Sequence, residues 1–150
     1  MSTSQALGVT SLKGEVTALV VDDDKVSQMI HHRLLNILGI ENHIVGNGKE
    51  AVEIHLSGKK FNLILMDRDM PVMNGIEATK KLREMGIRST IAGVSSHSVS
   101  QERQAFIEAG LDDYHEKPLS VTKLLSAISK IKHKAEHELS PGVTDQPLLL

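Results

Sequence analysis

Three aspartates stand side by side at Asp22, Asp23 and Asp24, directly after the apolar run of residues 18–21. Carboxylates crowded into one pocket repel, and one of them resists ionising unless a cation neutralises the site. Asp67 and Asp69 flank Arg68 at the end of a second apolar run, "FNLILMD". A third run, "TIAGV", is followed by Ser95, Ser96 and His97, and "DDYHEK" leads into Lys117 and Pro118. Carboxylates, a hydroxyl and an ammonium, each at the end of a short run, suit phosphate and a hard divalent cation. Mg2+ takes oxygen ligands, typically one or two carboxylates together with phosphate. Phosphoryl transfer needs mainly positioning and electrostatic support of this kind. A carboxylate can itself be the nucleophile and form an aspartyl phosphate.

These residues act together only if the elements before them end on one rim. "TALVVD" reads as a strand, followed by Val26, Ile30, Leu34 and Ile37/Leu38 at helical spacing up to Gly39. "NHIVG" is a weak second strand. Asn47 and Glu50 have capping-box spacing and open the helix "GKEAVEIHL". "FNLILMD" is the third strand, with a helix carrying Ile76, Thr79 and Leu82/Arg83 to Gly86. "TIAGV" is the fourth, before the helix "SQERQAFIEAG". "DDYHEK" is the fifth, before a stripe of Val121, Leu124/Leu125, Ile128 and Ile131. Five strand–helix units in a row imply an α/β fold, a parallel sheet covered on both faces. Ligands in such sheets bind beyond the carboxyl ends of the strands, where strand order reverses. The rim residues fall there.

Composition narrows the alternatives. The chain has 150 residues, a net charge of -2, no cysteine and only 2% aromatics. The charge gives no bulk attraction to nucleic acid, and few aromatics leave little for base stacking. Thiolate zinc sites and disulfides are excluded. No run approaches a membrane span, and the start lacks the pattern of a signal peptide. Residues 1–15 read as a flexible leader, 16–134 as one domain and 135–150 as a tail. A chain of 16.4 kDa is expected in the cytoplasm and is small enough for the nucleus as well.

"LVVDDD", "LILMDRDMPVMNG", "AGVSS" and "YHEKP" together resemble the signatures of response-regulator receiver domains, in family order and spacing. The resemblance implies a doubly wound five-stranded parallel sheet of flavodoxin-like order. It implies that Asp67 is the phosphoacceptor and that Mg2+ is held by Asp22, Asp23 and Asp67, with Asp69 through its backbone carbonyl. Asp22 would act mainly through metal-bound water. Ser95 matches the switch hydroxyl, Lys117 the phosphoryl-binding lysine and Tyr114 the switch aromatic. Asp69 and His97 match positions that tune dephosphorylation. Pro118, expected after a cis bond, and Gly75 are structural. Asp24 has no ligand role there and is expected to cap the first helix. The wording "MPVMNGIEATKKLREMG" with "EAGLDDYHEKPL" is similar to plant stand-alone, C-type regulators of the cytokinin pathway. That implies a His-containing phosphotransfer protein as partner, a hybrid sensor histidine kinase upstream, and a monomer without a DNA-binding output. Two functions fit: a signalling module, or a phosphate sink that acts in effect as a phosphohistidine phosphatase. A fragment of a hybrid kinase is the third reading.

Other motifs are weaker. "GNGKEA" (residues 46–51) matches a dinucleotide fingerprint but follows a short polar strand, so a turn and helix start explain it better. "DRDMP" also resembles the paired acids of haloacid-dehalogenase-type phosphatases, which would leave Asp22 and Asp23 unexplained. His133 and His137 share a helical face without the glutamate of a metalloprotease pattern. His31 and His32 cannot share one, and His55 and His115 read as surface residues.

Overall fold

The structure is a computed structural model that describes residues 14–96 and 100–138. Its strands are β1 (Thr17–Val21), β2 (Glu41–Val45), β3 (Leu63–Asp67), β4 (Thr90–Ser95) and β5 (Asp113–Glu116). Between and after them lie α1 (Lys25–Ile37), α2 (Gly48–Leu56), α3 (Gly75–Glu84), α4 (Ser100–Glu108) and α5 (Val121–Glu138). All strand pairs are parallel, in the order β2-β1-β3-β4-β5. Strand order reverses between β1 and β3, which places the open crevice beyond Val21 and Asp67.

Alternation along the strands splits the core into two layers. Ala18 and Val20 of β1, Leu63 and Leu65 of β3, and Ala92 and Val94 of β4 face Leu35 and Leu38 on the α1 side and Leu124, Ala127 and Ile128 of α5. Leu19, Val21, Ile64, Met66 and Ile91 face Ala51, Val52, Ala78, Leu82 and Phe106 of α2, α3 and α4. Every residue of β3 and β4 is buried, as expected for central strands covered on both faces. β2 is an edge strand and mostly exposed, which explains its polar sequence.

The helix starts are set locally. Asp24 caps α1 by accepting from Ser27 N at 2.8 Å. Asn47 caps α2, but Glu50 returns to Gly46 N at 2.6 Å instead of closing the box on Asn47. A full capping box occurs at Asn74 and Glu77 of α3. Gly75 must be glycine for space: a Cβ there would collide with the Asp67 carbonyl and come within 2.9 Å of Arg68 Cα. α3 is thereby pressed against the end of β3.

The α1 stripe differs from the sequence expectation. Val26, Ile30 and Ile37 are exposed, whereas His31, Leu35 and Leu38 are buried. The buried face is turned by about one residue, 100°. A pattern that counts histidine as polar misses it. Burial holds the His31 imidazole down at about 4, against a smaller opposing effect of Asp22, so the ring is neutral near pH 7 and fills the core as an uncharged group.

Candidate functional site

β1 delivers Asp22 and Asp23 to the crevice, β3 delivers Asp67, and the segment after β5 delivers Lys117. Oxygens of Asp22, Asp23 and Asp67 lie within 4.8 Å of one another. Asp22 and Asp67 are buried, whereas Asp23 is exposed. Lys117 Nζ donates to Asp22 Oδ2 at 2.9 Å and to Ser27 Oγ at 3.2 Å, and it lies 3.3 Å from Asp67 Oδ1. The Lys117–Pro118 peptide bond is cis. Asp22 is further fixed by accepting from Asp24 N on Oδ1 and from Gln28 Nε2 on its backbone carbonyl.

Three carboxylates against one ammonium leave the cluster short of positive charge. Burial, with Asp22 adding to it, pushes the Asp67 carboxyl up from 3.8 to about 6, and Lys117 offsets this only in part. Burial works against the charged form of Lys117 as well, but Asp22 and Asp67 outweigh it and hold the ammonium above its ordinary range. The donor set consists of carboxylate oxygens only, with no nitrogen or sulfur. That fits a hard cation such as Mg2+.

A cleft of about 440 Å³ opens over these groups, walled by Asp23, Asp24, Ser27, Asp67, Asp69, Ser96 and Lys117. A larger cavity of about 540 Å³ lies at the opposite, amino-terminal end of the strands. Its wall includes Thr17, His55, Phe61 and Arg88 but no carboxylate, so it lacks the chemistry of the rim. Ser95 is fully buried at the end of β4, one residue below the cleft wall, and its carbonyl accepts from Lys117 N. Tyr114 meets Phe106 edge-on, with centroids 6.3 Å apart. Asp69 stands on the rim with its carboxylate bound by Arg68. His97 and the side chains of His133 and His137 lie outside the described residues.

Several sequence readings are corrected. His55 is buried and its Nδ1 bonds the Ala51 carbonyl at 2.7 Å. His115 is half-buried against Asp113 at 2.8 Å. Both belong to the interior, because local acceptors satisfy one ring nitrogen. Gly48 stands at a helix start, as expected from sequence: its N–H donates to the Met73 carbonyl, and a Cβ there would lie 2.6 Å from that oxygen. Ser27 and Arg68 were not singled out from sequence. Ser27 lies in the first turn of the helix that Asp24 caps, and Arg68 is a cation between two carboxylates after a buried strand. Those placements are the signals that could have found them.

The response regulator receiver domain model matches residues 18–129. The chain belongs to the response-regulator receiver family. The receiver is 58% identical over 119 residues to "Two-component response regulator 24" of Arabidopsis thaliana, covering 79% of this chain and 86% of that protein. Its fold is similar to the receiver domain of the histidine kinase CKI1 from Arabidopsis thaliana, solved with Mg2+ and BeF3-. There the TM-score is 0.69 with 32% identity, over 81% of this chain and 92% of that one. It is also similar to a chain of the Saccharomyces cerevisiae co-crystal of the phosphotransfer protein Ypd1 with the receiver domain of Ssk1. There the TM-score is 0.69 with 26% identity, over 76% and 86% of the two chains. The haloacid-dehalogenase reading falls with this membership. The Asp69 side chain that it needs as a general acid is engaged by Arg68.

Proposed function

We propose that this receiver takes a phosphoryl group from a phosphohistidine protein onto Asp67. One observation carries the reading: a buried Asp67 with raised proton affinity lies 3.3 Å from the Lys117 ammonium and beside two further carboxylates. An Asp67 oxygen attacks phosphorus in line. The P–N bond breaks, and the imidazole leaves with its electron pair and takes up a proton. Lys117 supports charge on the transferred oxygens, and Ser95 answers as the switch hydroxyl with Tyr114 behind it. Asp22, Asp23 and Asp67, with the Asp69 carbonyl, would hold Mg2+, which when bound supplies the positive charge that the carboxylates lack.

The docking face is the start of α1. Val26, Met29 and Ile30 are exposed there, 61%, 48% and 37%. They share one helical face by their spacing, and Ile30 lines a small cavity with Ser27, Lys117 and Pro118. An apolar patch beside the acceptor suits a protein donor, and the co-crystal of Ypd1 with the Ssk1 receiver domain supports a phosphotransfer protein as that donor. The matched 119 residues are 86% of the Arabidopsis relative, which supports a stand-alone regulator rather than part of a kinase. The cytokinin pathway enters on the sequence resemblance alone.

The test is intact mass after incubation with a phosphorylated phosphotransfer protein, with and without Mg2+, alongside Asp67→Asn. The expected result is a Mg2+-dependent gain of one phosphate that the variant lacks. Steady phosphate release without a stable gain would assign the sink instead. The absence of both gain and release would refute the acceptor.

A further inference from the structure

Arg68 follows the acceptor directly, and its side chain is only 6% exposed. An arginine is seldom that buried unless its charge is paired. Its fork grips Asp69 with Nε to Oδ1 at 3.2 Å and Nη2 to Oδ2 at 2.9 Å. The third nitrogen, Nη1, lies 3.2 Å from Glu102 Oε1 of α4, though out of hydrogen-bonding alignment. The Arg68 backbone cannot drift, since its N–H donates to the Val94 carbonyl and its carbonyl accepts from Gly75 N. Tyr114 lies within electrostatic reach of the guanidinium.

Each Asp69 oxygen therefore accepts one bond of the fork, which fixes the direction of a carboxylate that is otherwise 60% exposed on the rim of the cleft. A free carboxylate two residues from an aspartyl phosphate could accept a hydrogen bond from an attacking water and orient it. From this geometry we infer that Arg68 is a positioning residue which pairs the Asp69 charge and holds its carboxylate in one direction, anchored on α4 through Glu102, so that it does not orient an attacking water and the phosphorylated state is prolonged. The inference rests on Asp67 as acceptor and deepens that reading. The step it governs is hydrolysis: water adds to phosphorus, the bond from phosphorus to the Asp67 oxygen breaks, and carboxylate and inorganic phosphate leave with the released proton. The lifetime effect expected of Asp69 belongs to the pair. It stays silent while the fork is closed.

The experiment labels the full chain with acetyl phosphate and Mg2+, removes the donor, and follows the half-life of the label. Arg68→Met is expected to shorten it about fivefold, well short of the 10²–10⁴ of a fully placed base. Arg68→Lys keeps the charge but cannot hold both oxygens, and should fall between. Adding Asp69→Asn to Arg68→Met should bring the half-life back towards that of the unchanged protein, which a merely structural role of Arg68 would not do. Glu102→Gln, remote from the acceptor and exposed, loosens the far anchor and should shorten the half-life in the same direction but less. Equal half-lives across the Arg68 variants, or a shortening that Asp69→Asn does not reverse, would overturn the inference alone. A wild-type chain that takes up no label would overturn the acceptor reading and this inference with it.

Discussion

Lys117 divides one positive charge between two buried carboxylates, and Asp67 is the one left wanting. Its folded-state carboxyl lies at about 6 against the ordinary 3.8. Between those values the folded protein binds a proton at Asp67 that the unfolded chain has released, so in metal-free solution the Asp67 contribution to stability falls as pH rises from about 4 to about 6 and is level above that window, while His31, neutral in the fold, contributes in the opposite direction up to its ordinary 6.5. Asp67→Asn removes the titration. Its stability gain over the unchanged protein should grow across the same window and then stay constant. Discounted for solvent reaching the cleft, it should reach roughly 1–2 kcal/mol. Thermal melts in chelator from pH 4 to pH 8 test this. Mg2+ should stabilise the unchanged protein above pH 6 by mass action and stabilise the variant less. A gain that does not vary with pH would mean that Asp67 is not the strained member. At this scale much of the site was legible: Asp22, Asp23 and Asp67 declare themselves by following apolar runs, and Lys117 by standing before a proline at the end of a short strand. Arg68 and the neutral His31 were not, because their roles depend on what faces them.

Between β3 and α3 the chain makes a turn that sequence pattern does not announce. The Pro71 carbonyl accepts from Met73 N at 2.8 Å around Val72, whose φ is +72°. This three-residue turn with positive φ is rare and strained, and a β-branched residue there is an outlier. The strain persists because both flanks are held: Gly75 N donates to Arg68 O, and Gly48 N to Met73 O. The Val72 side chain is 75% exposed and gains little in return. Val72→Gly should therefore stabilise the protein by about 1 kcal/mol, since a residue without a Cβ takes a positive φ without steric cost. In urea the midpoint should rise with an unchanged slope. A lower midpoint would mean that the valine methyls make a contact worth more than the strain. The same loop shows why element-level reading was incomplete. Strands and helices follow from periodicity, but the rotation of α1 and the fit of Gly48 and Gly75 follow from what lies across the gap.

The whole molecule has two unlike ends. Five alternating units, legible from the sequence, bring every chemical group to the carboxyl rim, and the polar β2 reads weakly because it is an edge. What periodicity could not show is that the apolar surface of α1 is divided between core and solvent. Half of the exposed large hydrophobic residues among the described ones lie on this helix, as Val26, Met29, Ile30 and Ile37. Contiguous exposed apolar surface is a mark of partner contact, and Ile30 of this group lines the small cavity beside Lys117. A small phosphodonor needs the cleft alone, whereas a protein donor must also cover α1. Met29→Asp places a charge in the middle of that face without touching the rim. It should lower the rate of transfer from a phosphotransfer protein by about tenfold or more, the loss of roughly 1.4 kcal/mol that a desolvated interface charge readily exceeds. Labelling by acetyl phosphate should stay within about twofold, since the catalytic groups are unaltered. Parallel time courses with both donors separate the cases. Equal loss with both would mean that Met29 supports the site through the fold. No loss with either would move the docking face off α1, and the apolar side chains there would need another occupant.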